Sequence, residues 1–514
     1  MNVADERTRS LWKDVELTPA PTLDRHQDAD AVVIGAGIAG LSVAYELAAR
    51  GLSIVVLDRG RVGSGMTART TAHLATAIDD GYAEIAKTHG SDAARLVHQS
   101  QAAAIDRMEA IQAAEAIDCD FERVDGYLLL APGTPGSALD EELAACSAAG
   151  VPVSDLREQT PLHAKNLVRS LHFHGQARIH PLKYIGGLAK AIAGRKGRFF
   201  GETRVDSIEE EKNGVVVKTA GGHEVRARHA VVATNSPINN RLALHAKQAP
   251  YRTYAIAASL PRGVLPDGLY WDTADPYHYV RLQPAKGHDV VIVGGEDHKS
   301  GEADDGERRL AALERWIRER LPKMGNVTHR WSGQVLEPVD ALGFYGRNPG
   351  SHRIFIATGD SGQGITGGAL AGLIISDLIA GARNPWAELY DPARRTAKSL
   401  GEFVRENMTV VKNFAEYLTA GDLKSIEGLR AGQGAIFRSG FRKIAACRDT
   451  KGRLHVHSAS CTHAGCILHW NSLEQCWDCP CHGSQFSPDG TALNGPAVDP
   501  LAPAEEKLTG AAAE

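Results

Sequence analysis

The first strong pattern in the chain lies between residues 30 and 58, where apolar runs are separated by glycines. The run AVVIG (31–35) predicts a buried strand, and the amphipathic segment that ends at Gly51 predicts a helix. A second apolar run, IVVLD (54–58), predicts another strand that ends at Asp58. Because a glycine turn and a helix join two apolar strands, the pattern predicts a βαβ unit.

The remaining pattern predicts a mixed body and a separate strand-rich end. Residues 92–118 have helical spacing, and short apolar runs between about 120 and 355 are typical of strands mixed with helices. After a glycine turn at 359–368 comes an apolar helix, and 385–420 has a charged helical pattern. New short strands begin in GLRAGQGAIF (428–437), so we place a domain boundary near residue 420.

Composition narrows the class of protein. With 514 residues, 43% of them hydrophobic, the chain can form two or three cores. The 57 basic residues are balanced by 62 acidic ones, so neither a nucleic-acid partner nor a polybasic membrane patch is expected. No apolar run approaches the roughly 20 residues of a membrane span, and the N-terminus has no signal-peptide core. We therefore expect a cytoplasmic protein with no membrane span.

The glycines of the βαβ unit indicate a dinucleotide. Gly35, Gly37 and Gly40 follow a strand and open a helix, so the backbone can approach a pyrophosphate at the positive helix N-terminus. Asp58 lies 21 residues beyond Gly37, where a carboxylate accepts hydrogen bonds from ribose hydroxyls. A purely structural turn is the alternative, and the motif alone does not separate NAD from FAD.

The segment CTHAGCILHWNSLEQCWDCPCHGSQF (461–486) holds five of the eight cysteines and three histidines. Cys461 and His463 are spaced as C-x-H, and Cys479 and His482 as C-x-x-H. The spacing gives two sulfurs and two imidazoles on two loops, a donor set that suits either an iron–sulfur cluster or zinc.

Three further motifs carry a family resemblance. GSGMTARTTAHL (63–74), ARHAVVATNS (227–236) and IFIATGDSGQGITGGALAGLIISDLIAG (354–381) together resemble the FAD-dependent D-amino-acid, glycine and sarcosine oxidases. The RTTAHL loop is most similar to the gamma-glutamylputrescine oxidase branch. The resemblance covers roughly residues 28–395.

The resemblance implies a Rossmann-like α/β FAD-binding domain with an inserted α+β substrate domain. The FAD-binding parts would be about 28–90, 155–240 and 330–395, and the substrate parts about 91–154 and 241–329. A helical linker, 396–420, and a small all-β domain, 421–510, would follow.

The resemblance also implies the residues around FAD. The loop after the second strand would run beside the flavin, the late glycine turn would face the flavin's pyrimidine edge with its N–H groups, and a strand valine would meet the adenine. The residues that match these positions, with those of the first turn, are Gly35, Gly37, Ile38, Ala39, Gly40, Asp58, Arg59, Ser64, Thr67, Arg69, Thr70, Thr71, Val205, Gly359, Gly362, Gln363, Gly364, Ile365 and Thr366.

The segment expected to bind the substrate differs in sequence from that of the amino-acid oxidases. Their carboxylate-binding arginine lies in a GLRP-like strand, and the matching stretch here is RWSGQVLEPVD (330–340), without that arginine. Arg252 with Tyr254, or Arg281 with Tyr279, could replace it, although exposed strand arginines are the commoner explanation. The departure favours an amine, polyamine or N-methylated substrate. The remaining candidate pocket residues are His73, Trp331 and Gln334, each of which could equally be core.

The two cysteine–histidine boxes, with NGPAVDPL (494–501) after them, resemble a Rieske domain of the cytochrome-bc type. The resemblance implies a [2Fe-2S] cluster ligated by Cys461, His463, Cys479 and His482, with a potential of about −150 to +300 mV. Zinc would not explain the matching boxes or the proline loop.

The second cysteines of the boxes have a role in this resemblance too. Cys466 and Cys481 match the disulfide that ties the two cluster loops together in bc-type domains, and two buried thiols are the alternative. Ser484 matches a serine that hydrogen-bonds a bridging sulfide. Phe486 replaces a tyrosine that donates to a ligand sulfur, which should lower the potential. Cys476 and His469 are interpreted as structural.

Joined, the two resemblances predict an enzyme that oxidises an amine-type or amino-acid-like small molecule by hydride transfer to flavin. Electrons would then leave singly through the cluster to an external acceptor, such as ferredoxin, flavodoxin, quinone or O₂. One alternative is a cluster-fed flavin reductase or monooxygenase with reversed electron flow. Another is a redox-sensing protein without turnover.

Overall fold

The computed structural model describes residues 7–157, 162, 169–239, 244–395, 413, 416–419, 421–423, 426–440 and 442–504. The strands are β1 (Gln27–Ile34), β2 (Ile54–Leu57), β3 (His73–Leu74), β4 (Glu122–Leu129), β5 (Val153–Leu156), β6 (Ser170–Arg178), β7 (Arg198–Phe200), β8 (Val205–Glu211), β9 (Gly214–Thr219), β10 (Glu224–Val232), β11 (Gln248–Leu260), β12 (Gly268–Asp272), β13 (His278–Pro284), β14 (Asp289–Lys299), β15 (Val327–Pro338), β16 (Phe344–Arg347), β17 (Ile354–Thr358), β18 (Gly434–Ser439), β19 (Arg442–Arg448), β20 (Leu454–Ser458), β21 (His469–Asn471), β22 (Cys476–Asp478), β23 (Gln485–Phe486) and β24 (Ala492–Asn494). The helices are α1 (Ile38–Ala49), α2 (Gly81–His89), α3 (Ser91–Ala114), α4 (Ser137–Ala149), α5 (Pro181–Gly194), α6 (Gly306–Arg320) and α7 (Gly364–Ile379).

The first sheet has the strand order β16-β17-β10-β1-β2-β7, with a β8–β9 hairpin attached to β10. From β17 to β7 the pairings are parallel. Val33 faces the core that contains α1 and α7, whereas Val32 packs into a second core on the other face. Because both faces are buried there, residues 31–34 of β1 and all of β2 read as continuous apolar runs, and the predicted βαβ unit is present.

The second sheet has the order β15-β11-β14-β13-β12-β4-β6-β3, with β5 paired to β6. Helix α6 packs Leu310, Leu313 and Ile317 against it. The segments 155–240 and 330–395, which the sequence assigns to FAD binding, contain β6 and most of β15, and both strands pair into this second sheet. An apolar strand does not reveal its sheet, since the pairing partners are distant in sequence.

The C-terminal part contains two antiparallel sheets, β18-β19-β20 and β21-β22-β23-β24, around a small core with Trp477 and Phe486. This is the all-β domain that the sequence predicts. The predicted linker helix, 396–420, lies largely outside the described residues. In the parts of the chain that the structure describes, no helix is both long and apolar enough to cross a membrane.

Candidate functional site

A cavity of about 1130 Å³ is lined by residues of both large sheets. Its wall includes the N-terminal residues of α1 and of α7. The volume is above the range of about 300–1,000 Å³ that is usual for small-ligand pockets, so the cavity can accept a dinucleotide together with a substrate.

The first glycine turn leaves no room for side chains. Gly35 has φ +106°, and a Cβ there would lie 2.2 Å from the Ala233 carbonyl oxygen. A Cβ on Gly40 would lie 1.9 Å from the Gly35 carbonyl oxygen. Gly37, Ile38 and Ala39 line the cavity, but Gly40 does not. Gly40 allows the helix to pack closely on the turn, and its place in the cofactor site stays a prediction.

Asp58 lies at the cavity wall and is held by the backbone. Its carboxylate oxygens accept from the N–H groups of Ala36 at 2.7 Å and Gly60 at 2.8 Å. Burial raises the pKa of Asp58, while these N–H groups lower it. Arg59 also lines the cavity, and its guanidinium donates to the Leu493 carbonyl oxygen of the C-terminal domain. Burial lowers the pKa of Arg59 to about 10.

The loop after β2 forms one wall of the cavity, with Ser64, Thr67, Arg69, Thr70, Thr71 and His73 all among the lining residues. The Thr67 hydroxyl accepts from the Ile38 N–H at 3.0 Å, so it joins the loop to the start of α1. His73 Nδ1 lies 3.1 Å from the Thr71 hydroxyl. Burial, together with the nearby Arg281, lowers the pKa of His73 to about 3, so its ring is neutral at physiological pH.

The late glycine turn lies at the same cavity. Gly359, Gly362, Gln363, Gly364 and Ile365 line it, and so does Val205 from β8. Thr366 is fully buried and lies outside the lining set. Its hydroxyl is buried without a hydrogen-bond partner among the described residues, and its contact with the cofactor stays a prediction. The two glycine turns, with backbone N–H groups at two helix N-termini, fit a bound FAD.

Arg252 and Tyr254 are turned away from the cavity, so the predicted substrate roles of both are corrected. Side chains alternate along β11, and its cavity-lining members are Ala249, Tyr251 and Thr253. The Arg252 guanidinium instead donates to both carboxylate oxygens of Asp478 at 3.0 Å. The Tyr254 hydroxyl lies 2.9 Å from His298 Nε2.

The other predicted pocket residues divide in the same way. Tyr279 and Gln334 line the cavity. Arg281 is fully buried outside it and donates to the Ala72 carbonyl oxygen at 2.6 Å. Trp331 is also buried, and its indole donates to the Arg69 carbonyl oxygen at 2.9 Å. Trp331 is thus a packing residue.

Carboxyl groups that the sequence reasoning missed also line the cavity. Asp79 accepts from Gln363 Nε2 at 2.8 Å and from the Tyr277 hydroxyl at 3.1 Å. Burial raises the pKa of Asp79 to about 7, and the nearby charge of Asp80 contributes to this rise. Burial raises the pKa of Asp297 to about 7 as well.

Two more carboxyl groups extend this acidic wall. Glu337 accepts from the Ser361 hydroxyl at 2.6 Å. Burial and the charge of Asp80 raise the pKa of Glu337 well above its usual range. Burial raises the pKa of Asp360 to about 6. We call Asp79, Asp297, Glu337 and Asp360 the acidic wall. No local sequence motif predicts this group, because its members come from four separate segments of the chain.

The four predicted metal ligands lie together at the tips of two loops. The rings of His463 and His482 have centroids 5.0 Å apart and are nearly perpendicular. A hydrogen bond from Cys479 lowers the pKa of Cys461, with Ser484 contributing. Two cysteines and two histidines brought together in this way fit a Rieske cluster.

The loops around these ligands are cross-linked. Cys466 and Cys481 form the disulfide that the resemblance implies. The Ser484 hydroxyl accepts from the Ala497 N–H at 3.0 Å, which fastens the proline loop. The ring of His245, which precedes β11, packs against both ligand histidines, with centroids 4.9 Å from His463 and 5.7 Å from His482.

Buried ion pairs fasten the C-terminal domain to the rest of the chain. Arg252 and Asp478 have side chains only 1% and 4% exposed. Arg69 pairs with Glu474 at 3.1 Å, and these side chains are 1% and 0% exposed. Although burial would raise the pKa of Glu474, Arg69 and Arg252 lower it to about 2. The sequence reasoning missed both acids.

Comparisons with known proteins agree with this geometry. The pattern of the family described as FAD dependent oxidoreductase matches residues 30–378, and that of the Rieske [2Fe-2S] domain matches 421–505. A Bacillus subtilis Rieske 2Fe-2S iron-sulfur protein, YhfW, is 30% identical over 97% of this chain and 98% of its own length. The gamma-glutamylputrescine oxidoreductase of Escherichia coli is 26% identical, covering 71% of this chain and 86% of its own.

A solved structure shows the same fold for the larger part. Glycine oxidase from Geobacillus kaustophilus superposes with a TM-score of 0.61 at 20% identity, covering 72% of this chain and 99% of its own. The chain therefore belongs to the D-amino-acid-oxidase-type family of FAD-dependent oxidoreductases, an enzyme family that binds FAD, and it carries a C-terminal Rieske domain, which binds a [2Fe-2S] cluster.

Proposed function

We propose that this enzyme oxidises the C–N bond of a cationic amine and passes the electrons singly through its Rieske domain to an external one-electron acceptor. The acidic wall supports this choice of substrate. The basic side chains that line the same cavity have other partners, because Arg59 and Arg69 donate to the C-terminal domain, Lys87 pairs with Glu84, and Arg204 pairs with Asp206. An ammonium group is therefore favoured over a free carboxylate.

The reaction must remove two electrons and two protons from a CH–NH unit to give an imine. FAD, when bound, accepts a hydride from the carbon, and the cluster carries one electron at a time. An ammonium substrate must first lose a proton, and Asp79 and Asp297 are suited to accept it because both have a pKa of about 7. These two carboxyl groups would bind the cation and hold its proton.

The uncharged residues of the pocket would orient the substrate. His73 is neutral because burial lowers its pKa to about 3, so it does not repel a cation. The Tyr279 hydroxyl lies 2.8 Å from the Thr253 hydroxyl, which fixes the phenol at the cavity wall. Both side chains can confine the substrate carbon and exclude water.

The test is anaerobic flavin reduction by an aliphatic diamine, a monoamine and a zwitterionic amino acid of similar length. The proposal expects the amines to bleach the flavin faster than the amino acid does. Asp297→Asn should raise the KM for the amines by about tenfold to a hundredfold, since a hydrogen bond to a charged group is worth about 1.5–3 kcal/mol. The control is Asp106→Asn, which alters a surface pair with Arg123.

A preference for the zwitterion would contradict the proposal. So would an unchanged amine KM in Asp297→Asn.

A further inference from the structure

Gln334 lies in the wall between the cavity and the loops that carry the cluster ligands. It is a member of β15, it is 5% exposed, and it lines the cavity. Its side-chain Nε2 donates to the Gly483 carbonyl oxygen at 3.0 Å, and its Oε1 accepts from Asn494 Nδ2 at 2.7 Å. One amide thus bridges the cavity and the Rieske domain with both of its polar atoms.

The partner at this bridge is the neighbour of a cluster ligand. Gly483 directly follows His482 in the chain, and its N–H donates to the Cys479 carbonyl oxygen at 3.1 Å. The peptide units around Gly483 therefore connect the Gln334 amide to Cys479 and His482, two of the four residues that would hold the cluster.

The contact also depends on glycine. Gly483 has φ +81°, and a Cβ there would lie 2.8 Å from Gln334 Nε2 and 2.8 Å from the Pro250 Cβ. Any other residue would have to displace the Gln334 amide or the Pro250 ring. Glycine at this position thus allows the loop backbone to approach Gln334 closely, which a side chain would prevent.

The two buried ion pairs between the domains do not combine these features. Arg252 contacts Asp478, next to Cys479, but does not line the cavity. Arg69 lines the cavity, but its partner Glu474 is five residues from Cys479.

We propose that Gln334 is a positioning residue that electronically couples the FAD cavity to the Rieske cluster through its hydrogen bond to Gly483. The inference rests on the proposed direction of electron flow, from flavin to cluster. Electron tunnelling decays more steeply across gaps than along bonded and hydrogen-bonded atoms, so a buried amide that spans the wall shortens the gap. No proton or atom is transferred at this residue.

The experiment uses the full-length holoenzyme and reduces the flavin by light with a sacrificial donor, under anaerobic conditions and without any amine. Flavin absorbance and the EPR signal of the reduced cluster are followed in time after the flash. In Gln334→Met, which has similar length and lacks the amide, cluster reduction should slow by about tenfold, while flavin photoreduction stays unchanged. Gln176→Met is the matched control, because Gln176 is also buried and bonds Thr76 outside the cavity lining.

A second variant keeps the test informative if Gln334→Met loads its cofactors poorly. Gln334→Glu retains the shape and the acceptor for Asn494 but cannot donate to Gly483 when ionised, so it should slow cluster reduction as well. Cluster reduction at the wild-type rate in either loaded variant overturns the proposal. So does an altered EPR line shape after chemical reduction, because Gln334 would then act on the structure of the cluster. Failure of amines to bleach the wild-type flavin would count against the proposed function alone, since photoreduction needs no amine.

Discussion

The ion pair between Arg252 and Asp478 gives a sharp test of how firmly the Rieske domain is docked. The guanidinium donates twice to the carboxylate at 3.0 Å and once to the Ser332 hydroxyl at 2.8 Å, and both charges are almost fully buried. Removing one partner of a buried pair costs about 3–5 kcal/mol, because the other charge is left uncompensated. In Arg252→Met, Asp478 keeps its hydrogen bonds from Asn471 and Gln485, both at 2.8 Å. We therefore expect a loss near the lower figure, about 3 kcal/mol.

The assay is denaturant unfolding of the holoenzyme, followed by cluster absorbance and by flavin fluorescence. The double variant Arg252→Met/Asp478→Leu should recover part of the loss, since neither charge of this pair then remains. The control Arg95→Met removes an exposed pair with Asp92, and we expect a change below about 1 kcal/mol. A cost for Arg252→Met as small as that of the control would refute the reasoning. So would a double variant that is less stable than the single one.

Three further predictions concern the cavity and the cluster. Because Asp79 and Asp297 have raised pKa values of about 7, both are neutral at lower pH, and the affinity for the amine should rise as the pH increases through 7. Binding can be followed by flavin absorbance. An affinity that falls over this pH range would contradict the prediction. Cys479→Ser should abolish the cluster EPR signal and leave flavin reduction by substrate largely intact, because the glycine turns lie in the other domain; equal loss of both would contradict the two-module account. Replacing Cys466 and Cys481, 15 residues apart, by serine should destabilise the Rieske domain by about 3 kcal/mol, as measured by the unfolding midpoint of the cluster signal, and an unchanged midpoint would argue against it.

Local spacing was enough to predict the parts of the site that local chemistry determines. The turn with Gly35 and Gly37 follows from the strand–turn–helix pattern. Spacing predicted two cysteines and two histidines on two loops, and the resemblance to bc-type domains supplied both their role as cluster ligands and the disulfide. Each of these features depends on residues close together in the chain, or on two short loops that a motif identifies.

Strand orientation and contacts between distant segments could not be predicted in this way. Arg252 and Tyr254 share one face of β11, and that face meets the Rieske domain. Because side chains alternate along a strand, an error of one residue in the predicted orientation places a cavity residue at the interface, or an interface residue in the cavity. The partner of Arg252 lies 226 residues further along the chain. The acidic wall likewise forms only when four separate segments come together. Its carboxyl groups look like ordinary polar residues in the sequence.

The central claim is that electrons enter from an amine at the flavin and leave through the cluster. It is tested most directly by mixing the holoenzyme with an amine substrate in the absence of oxygen, and recording visible and EPR spectra of the same sample. The account predicts that the amine alone bleaches the flavin and then generates the EPR signal of the reduced cluster. A bleached flavin beside a cluster that stays oxidised, or a flavin that is reduced only when an external reductase feeds the cluster, would contradict it.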